Sequence, residues 1–348
     1  MPDTPFAKFH RDAGATLIER HGWLLPDHYG DALVEHAQCR SSGGIFDVSH
    51  LGRLRLSGRH ARKLLERALT RKITDMPLKT CRLAVVCRED GSTLDVVTAY
   101  RFDKEWLVVT NAAQRAAVAD HFAGLIDAES FSVKLDDETT KTAMLSVQGP
   151  KVVDKIGEFS REIPTLKPWA FALKNLLILK MIVSRTGYTG GDGVEVLLGA
   201  NMASMAIKLL LKDKSEAAAI QPAGMQARES LRVEAGLPAA GTEFGGDDAP
   251  DPLTLGLHRA VDLHKHEVGD DDVPVPRFVG QAALEKIAAE RPTRKLVSFT
   301  TAGDPPAVGS AVTAGGRAVG SVTSTATLPE GSAALALVAA DAAGPFDA

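Results

Sequence analysis

The chain is poor in cysteine and in long apolar runs, and each shortage excludes a class of protein. Its three cysteines, Cys39, Cys81 and Cys87, form no CxxC pair and no zinc-ligand spacing, so we expect reduced, partly buried thiols. No apolar run approaches the length of a membrane span. The N-terminus lacks a basic segment followed by an apolar one, so the expected location is the cytoplasm.

Positive charge is not in excess either. The 40 Lys and Arg residues are outnumbered by 44 Asp and Glu residues, which gives a net charge of −4. Such a chain has no overall basic field to hold nucleic acid or an anionic membrane, so neither is expected as a partner. Its 348 residues are enough for two or three domains, each with a core.

Hydrophobic periodicity and turn signals predict an α+β fold. Residues 5–21 and 31–41 are predicted to be helices. Their expected core contacts are Leu17, Ile18, Leu33 and Val34. RLAVVCR and TLDVVTAYRF are separated by EDGS, and an Asp-Gly turn between β-rich runs indicates a hairpin. From Lys295 onward, short β runs with Gly and Pro breaks predict a small barrel or sandwich. Further strands are predicted at LGRLRLSG, EWLVVTN, FSVKLDD, TAMLSVQGP, LLILKMIVSR and VEVLL, and further helices at HARKLLERAL, AAQRAAVADHFAGL, 223–235 and 280–290.

The glycine-rich stretch SRTGYTGGDGVEV at 184–196 raises the question of a phosphate loop. It has no GxxxxGK[ST] pattern, and its glycines lie between two strands, so neither a P-loop nor a dinucleotide loop fits. A wide hairpin whose glycines supply positive φ is favoured. Within it, Glu195 lies between two valines. If Glu195 faces a cavity it needs partners, and the paired N–H donors of an amino-pyrimidinone such as pterin or guanine would suit it. Tyr188 would add a flat wall with a hydroxyl group.

Other polar groups leave alternatives open. HKHEVGDDDV at 264–273 could bind a divalent metal, but no fixed spacing supports that, so a polar loop is favoured and no metal is expected. His50 could be catalytic or a hydrogen-bonded structural residue. Asp47 could equally cap an element or form a turn.

Several motifs together resemble the aminomethyltransferase family, the T-protein of the glycine cleavage system. The resemblance runs nearly collinearly from Thr4 to about Val338. The matching motifs are HGWLLPDHYG, GGIFDVSHLG, VQGP, SRTGYTGGDGVEV, AGMQARESLRVEAG and FVGQAALEK, of which GIFDVSH and SRTGYTG are specific to the family.

The resemblance implies a three-domain cloverleaf with a central tetrahydrofolate channel. A discontinuous folate-binding domain 1 would span 1–50 and 139–275. An α+β domain 2 at 51–138 would be inserted into it, and 276–348 would form a C-terminal β-barrel domain 3.

The resemblance also implies a reaction. An aminomethyl group on the lipoyl arm of the H-protein would react with tetrahydrofolate as co-substrate, giving methylene-tetrahydrofolate, ammonia and dihydrolipoyl protein. The expected state of the chain is a monomer. By resemblance, Glu195 would bind the pterin edge, Tyr188 would line its pocket, and Arg228 would lie near the folate or the lipoyl arm. The folate-pocket positions would also include Leu51, Leu83 and Val96.

The chain departs from the family at functional positions. Val96 occupies the place of the catalytic aspartate. Asp95 is the neighbouring acid, but successive strand residues face opposite sides, so Asp95 could substitute only through a bulge or a register slip. Glu243 is a second candidate for a compensating carboxylate. Leu83 replaces a pocket tyrosine, and the family's later Tyr and Trp positions are Ala240 and Arg259. Its Thr-Ser-Gly-x-x-Ser-Pro stretch is reduced to TSTATLPEG.

These departures leave three functional hypotheses. The first is a folate-dependent aminomethyltransferase with weakened or altered activity, because one positioned acid–base group typically contributes about a hundredfold to ten-thousandfold in rate. The second is a non-catalytic, folate-binding paralogue with a regulatory or binding role. The third is a one-carbon or methyl transferase that uses another donor. The family branch in iron–sulfur assembly is disfavoured, because its Lys-Gly-Cys segment corresponds here to AAGTEFGG, without cysteine.

Overall fold

The computed structural model describes residues 3–158, 160–176, 179–211, 218–267 and 275–348. The α-helices are α1 Ala7–Asp12, α2 Ala32–Ser41, α3 Ala61–Ala68, α4 Arg115–Ala128, α5 Val152–Gly157, α6 Ala203–Leu210, α7 Met225–Glu234 and α8 Gln281–Glu290. The strands are β1 Thr16–Arg20, β2 Trp23–His28, β3 Gly44–Asp47, β4 Gly52–Ser57, β5 Cys81–Cys87, β6 Thr93–Arg101, β7 Glu105–Thr110, β8 Lys134–Asp137, β9 Thr142–Gln148, β10 Phe171–Leu176, β11 Leu179–Ser184, β12 Gly193–Gly199, β13 Gln221–Pro222, β14 Arg294–Thr301, β15 Ala311–Ala314, β16 Arg317–Thr327 and β17 Ser332–Ala339. Of the described helices, none has the length and apolar character needed to cross a membrane.

The N-terminal segment corrects the prediction of one helix over 5–21. Helix α1 ends at Asp12, and β1 and β2 form an antiparallel hairpin with Arg20 opposite Trp23. His21 and Gly22 connect them with φ values of 51° and 79°. Two successive positive φ angles are typical of a type I′ turn, which matches the twist of the flanking strands. His21 and Gly22 therefore close a hairpin at the place where the helix was predicted to end.

Two further predictions need correction. Of the four expected core contacts in this segment, Leu17, Ile18 and Leu33 are half-buried, and Val34 is 64% exposed. LLILKMIVSR is not one strand, because Leu176 ends β10 and β11 begins at Leu179. The two strands pair in antiparallel orientation, and 177–178 lie outside the described residues.

A six-stranded sheet has the order β10-β11-β12-β9-β3-β13. It is antiparallel except for the β13–β3 pair. One face of this sheet is stabilised by apolar packing beneath α5 and α6. On β12, the alternate residues Val194 and Val196 are buried there in one cluster with Ile45 and Val147. The intervening Glu195 therefore projects from the other face of the sheet.

A five-stranded antiparallel sheet has the order β5-β6-β7-β4-β8. The predicted hairpin is confirmed, since β5 and β6 pair from Cys81 opposite Tyr100 onward. Helices α3 and α4 cover one face, where Leu64 and Phe122 are fully buried. A separate apolar cluster joins this sheet to the first one, through residues such as Phe46 and Leu107, and includes Leu231 of α7.

The C-terminal part is a four-stranded antiparallel sheet with the order β14-β17-β16-β15. This confirms the β-rich prediction for the segment, while closure into a barrel stays a prediction. Helix α7 lies against β16 and β17. The domain limits 1–50 with 139–275, 51–138 and 276–348 also stay predictions.

Candidate functional site

Two adjoining cavities lie where the first two sheets meet α7. The inner cavity has a volume of about 200 Å³, and the outer chamber about 310 Å³. The residues that line both of them are Leu51, Asn111, Tyr188 and Arg228. Small-molecule sites span roughly 300–1,000 Å³, so the two together are large enough for a drug-sized ligand.

Glu195 brings a carboxylate into the inner cavity. Its Oε2 accepts a hydrogen bond of 2.5 Å from the Thr186 hydroxyl. Oε1 has no hydrogen-bond partner within the described ranges. Burial raises the pKa of Glu195, although the Thr186 bond and the positive charge of Arg228 oppose the shift. A carboxylate in such surroundings is stabilised by a ligand that donates N–H groups to its free oxygen.

Tyr188 and Arg228 form the boundary between the cavities. The guanidinium carbon of Arg228 lies 4.8 Å from the centre of the Tyr188 ring, a cation–π contact. The Tyr188 hydroxyl donates to the Pro238 carbonyl oxygen. Burial raises the pKa of Tyr188 to about 12 and lowers the pKa of Arg228. The Arg228 guanidinium has no hydrogen bond or ion pair to the rest of the described chain, so its N–H groups are available to an anionic or carbonyl-bearing ligand.

The position of the missing acid is apolar. Val96 and Leu83 line the inner cavity and pack beside Leu257 in one cluster. Leu51 lines the cavity and is 9% exposed. The structure therefore places Leu51, Leu83, Val96, Tyr188, Glu195 and Arg228 around one cavity.

Neither proposed substitute acid lines these cavities. Asp95 is fully buried and accepts hydrogen bonds from the backbone and side-chain nitrogens of Asn111, at 3.0 and 2.7 Å. Burial raises the pKa of Asp95 to about 7, against the effect of these bonds. Glu243 is 1% exposed and accepts from Arg232 and from the Ala239 backbone. Both acids are thus held in internal networks. Val96 lines the cavity and its neighbour Asp95 does not, as the alternation of side chains along a strand predicts.

The polar residues of the FDVSH motif have different surroundings. His50 lines the outer chamber, and its buried Nδ1 has no hydrogen-bond partner among the described residues, so these contacts do not favour the hydrogen-bonded structural alternative. Burial and then the charge of Arg228 lower the pKa of His50 to about 3, so it is neutral at pH 7. Asp47 forms the expected turn by accepting from Ser49 N at 2.9 Å. Burial alone would raise the pKa of Asp47, but the hydrogen bond and charge of His10 together with the hydrogen bonds of Ser49 and Thr4 outweigh it, and the pKa lies below its usual range.

The histidine- and acid-rich stretch falls partly outside the described residues, since 268–273 are not described. In the remainder, His264 pairs with Glu267 at 2.9 Å. Lys265 is buried and bonds Glu66 and nearby carbonyl oxygens. The described ranges contain no group of three or more His, Cys, Asp or Glu side chains that could hold a metal ion.

Sequence reasoning missed several cavity residues, and three of them are informative. Thr186 orients Glu195, Asn111 lines both cavities beside Asp95, and Trp169 lines the inner cavity. Thr186 was within the glycine-rich stretch and two residues from Tyr188, so its hydroxyl was a readable signal. Asn111 directly follows β7, and Trp169 lies in the connection before β10. Only the tertiary structure brings these two residues to the cavity.

The fold and the cavities define a multidomain α+β protein with two adjoining cavities where its first two sheets meet α7. A family model described as the GCVT N-terminal domain matches residues 6–265. The chain is 36% identical to the aminomethyltransferase of Rubrobacter xylanophilus, with 92% of this chain and 82% of that protein covered. It is 35% identical to the aminomethyltransferase of Streptomyces coelicolor, with 92% and 84% covered.

A solved structure agrees. The crystal structure of glycine cleavage system aminomethyltransferase T from Bartonella henselae matches with a TM-score of 0.85 at 25% identity, covering 97% of this chain and 90% of that one. The chain therefore belongs to the aminomethyltransferase family of glycine cleavage T-proteins and has the fold of that family. This confirms the resemblance found in the sequence.

Proposed function

We propose that the chain binds tetrahydrofolate in the inner cavity and transfers a one-carbon unit to it from the aminomethyl-lipoyl arm of an H-protein. The products are methylene-tetrahydrofolate, ammonia and dihydrolipoyl protein. The observation that carries the proposal is Glu195, whose Oε1 has no partner among the residues that the structure describes and lies in a cavity otherwise lined mainly by apolar side chains. An amino-pyrimidinone edge presents parallel N–H donors, which match a carboxylate in a low-dielectric site.

The outer chamber suits the rest of such a ligand. Arg20, His21 and Arg228 line it, so two guanidinium groups are available near its surface. Folate carries carboxylates on its tail, and guanidinium groups recognise carboxylates well. The one acid among the chamber's lining residues is Glu229, and it pairs with Arg232. The charge pattern therefore favours a ligand with a pterin at one end and carboxylates at the other.

Catalysis in this site would rest on proximity. Holding the folate nitrogen beside the aminomethyl carbon lowers the barrier without any acid–base group. Val96 supplies no proton carrier, and neutral His50 has too low a pKa to be an effective base near pH 7. We therefore expect transfer that is slower than in a relative with an acid at this position. We also propose that the protein is located in the cytoplasm and is a monomer.

Calorimetric titration of the purified chain with tetrahydrofolate tests the proposal. Micromolar binding is expected for the unaltered chain, and a loss of roughly tenfold or more for Glu195→Gln, which keeps the shape but removes the charge. Asp120→Asn is the matched control, because Asp120 is an exposed carboxylate on α4. Guanosine serves as a second ligand because it shares the amino-pyrimidinone edge. Absence of tetrahydrofolate binding would refute the proposal, and tight guanosine binding would redirect it to a purine.

A second candidate is folate binding without transfer. The packing of Val96 against Leu83 and Leu257 favours it, because an apolar cluster now fills the place of an acid. Single-turnover assays with aminomethylated H-protein distinguish the two candidates. Binding without methylene-tetrahydrofolate formation would establish the non-catalytic candidate.

A further inference from the structure

Three aromatic rings line the inner cavity, and they differ in what they can offer a ligand. They belong to Trp169, Tyr188 and Phe244. Phe244 is 3% exposed, and Tyr188 has Arg228 over its ring and its hydroxyl bound to Pro238. Trp169 is 41% exposed, so it presents the most accessible ring surface of the three.

The backbone at Trp169 is strained. Its φ of 65° lies in the left-handed region, which is costly for a bulky residue other than glycine. Strain of this kind costs roughly 1–3 kcal/mol and persists only where the surrounding structure imposes it. Such positions are concentrated at ligand clamps and active sites.

Two hydrogen bonds hold this backbone in place. The Trp169 carbonyl oxygen accepts from Cys81 N at 2.7 Å, and Trp169 N donates to the Arg185 carbonyl oxygen at 3.0 Å. Cys81 begins β5 of the five-stranded sheet, and Arg185 directly follows β11 of the six-stranded sheet. Trp169 is therefore fixed to both sheets that enclose the cavity, although it lies in a connection between elements.

The bond to Arg185 joins Trp169 to the segment that holds the cavity carboxylate, and Trp169 and Glu195 line the same cavity. Arg185 precedes Thr186, whose hydroxyl binds Glu195. A flat heterocycle whose edge meets Glu195 would thus lie in the part of the cavity that Trp169 borders. Stacking on an aromatic face is favourable and adds to the hydrogen bonds at the edge.

We propose that Trp169 is the stacking wall for the flat heterocycle whose edge Glu195 binds. The proposal rests on the proposed function and specifies a ligand-contacting residue for it. It also supplies an aromatic contact in a cavity where Leu83 and Val96 are aliphatic.

The test compares two substitutions at one position. Trp169→Gly removes the ring and suits the positive φ, so it relieves strain rather than adding it. Trp169→Phe keeps an aromatic face. Leu78→Ala is the control, because Leu78 is 52% exposed and does not line either cavity. Tetrahydrofolate affinity is measured by calorimetry, and Trp emission is followed in the same titration.

Trp169→Gly is expected to weaken binding about five- to hundredfold, because the loss of an aromatic stacking partner has an effect of that size in other proteins. Trp169→Phe should retain most of the affinity and lose the ligand-dependent quenching, because Trp23 and Trp106 are each 7% exposed. Unchanged affinity in Trp169→Gly, or equal quenching in Trp169→Phe, would overturn the inference and leave the proposed function standing. If the unaltered chain binds no tetrahydrofolate, both are overturned.

Discussion

At the scale of single residues, the main question is how neighbouring positions on β6 divide their roles. Val96 lines the inner cavity, whereas Asp95 is fully buried against Asn111. Asn111 lines both cavities, so Asp95 holds a cavity residue without lining the cavities itself. Strand alternation made this division readable from the sequence, but the identity of the partner, 16 residues away on another strand end, was not readable.

Restoring an acid at the cavity wall should raise the rate of transfer. Val96→Asp is expected to increase single-turnover formation of methylene-tetrahydrofolate by about a hundredfold or more, because a positioned acid–base group commonly contributes that much. Val96→Asn has nearly the same shape and cannot carry the proton. An equal gain in both variants would mean that polarity rather than proton transfer limits the reaction.

Asp95 should make folding stability depend on pH. Burial raises its pKa to about 7 in the folded chain, against about 3.9 when unfolded. Between these values the folded chain holds a proton that the unfolded chain has released. Its contribution to stability is therefore present below about pH 4, falls as pH rises to about 7, and is constant above that.

Asp95→Asn cannot titrate, and the comparison isolates this group. From pH 5 to pH 7 the unaltered chain should lose about 2 kcal/mol of unfolding free energy relative to the variant, measured by urea denaturation. Asp120→Asn serves as the control, since its carboxylate is exposed on α4. Parallel pH curves for the unaltered chain and Asp95→Asn would show that Asp95 is ionised throughout.

At the scale of elements, the β11–β12 connection shows both the reach and the limit of sequence reasoning. Its glycines and flanking β runs predicted a hairpin, and β11 pairs with β12 with Ser184 opposite Glu195. Alternation on β12 also placed Glu195 opposite the buried valines. By contrast, β1 was mistaken for the end of a helix, because its apolar residues Leu17 and Ile18 are only half-buried and leave a weak period-2 pattern.

Glycines in this connection have separate requirements, which substitution can test. A Cβ at Gly193 would lie 2.4 Å from the Val147 carbonyl oxygen, and that backbone belongs to the central strand β9. At Gly191 the nearest atom would be 3.7 Å away, an ordinary contact, and the position has no positive φ. Gly193→Ala should therefore lower the unfolding free energy by about 1–3 kcal/mol, while Gly191→Ala changes it by about 0.5 kcal/mol or less.

Denaturant titration of the two glycine variants checks this difference, and tetrahydrofolate titration extends it to the site. Because Gly193 is two residues from Glu195, its substitution should also weaken binding more than that of Gly191. Equal stability of both variants would mean that β12 can shift away from β9 without cost, contrary to the close strand packing.

At the scale of the whole molecule, the cavities depend on how the units meet. One apolar cluster contains Phe46 from the first sheet, Leu107 from the second and Leu231 from α7, so it ties three parts of the chain around the site. Such a cluster has no local sequence signal, because its members are far apart in the chain. Only the family resemblance predicted a central channel; periodicity alone predicted the separate elements.

A buried polar network fixes the C-terminal sheet to α7. Arg232 and Glu243 are each 1% exposed and pair at 3.2 Å. Ser324 of β16 accepts a hydrogen bond from Arg232 at 2.7 Å and donates one to Glu243. The network therefore spans the contact between the C-terminal sheet and the helix that carries Arg228.

Removing one partner of this network should destabilise the whole molecule. Glu243→Gln is expected to lower the unfolding free energy by about 3 kcal/mol, because the buried Arg232 guanidinium then keeps only the partly exposed Glu229 as its counter-ion. Adding Arg232→Met should restore part of the loss, because it removes the buried charge that has lost its buried partner. The exposed pair Lys8–Asp12 provides the control, and Asp12→Ala should cost about 1 kcal/mol or less. A Glu243→Gln effect as small as that of Asp12→Ala would show that the C-terminal sheet is held by apolar packing alone.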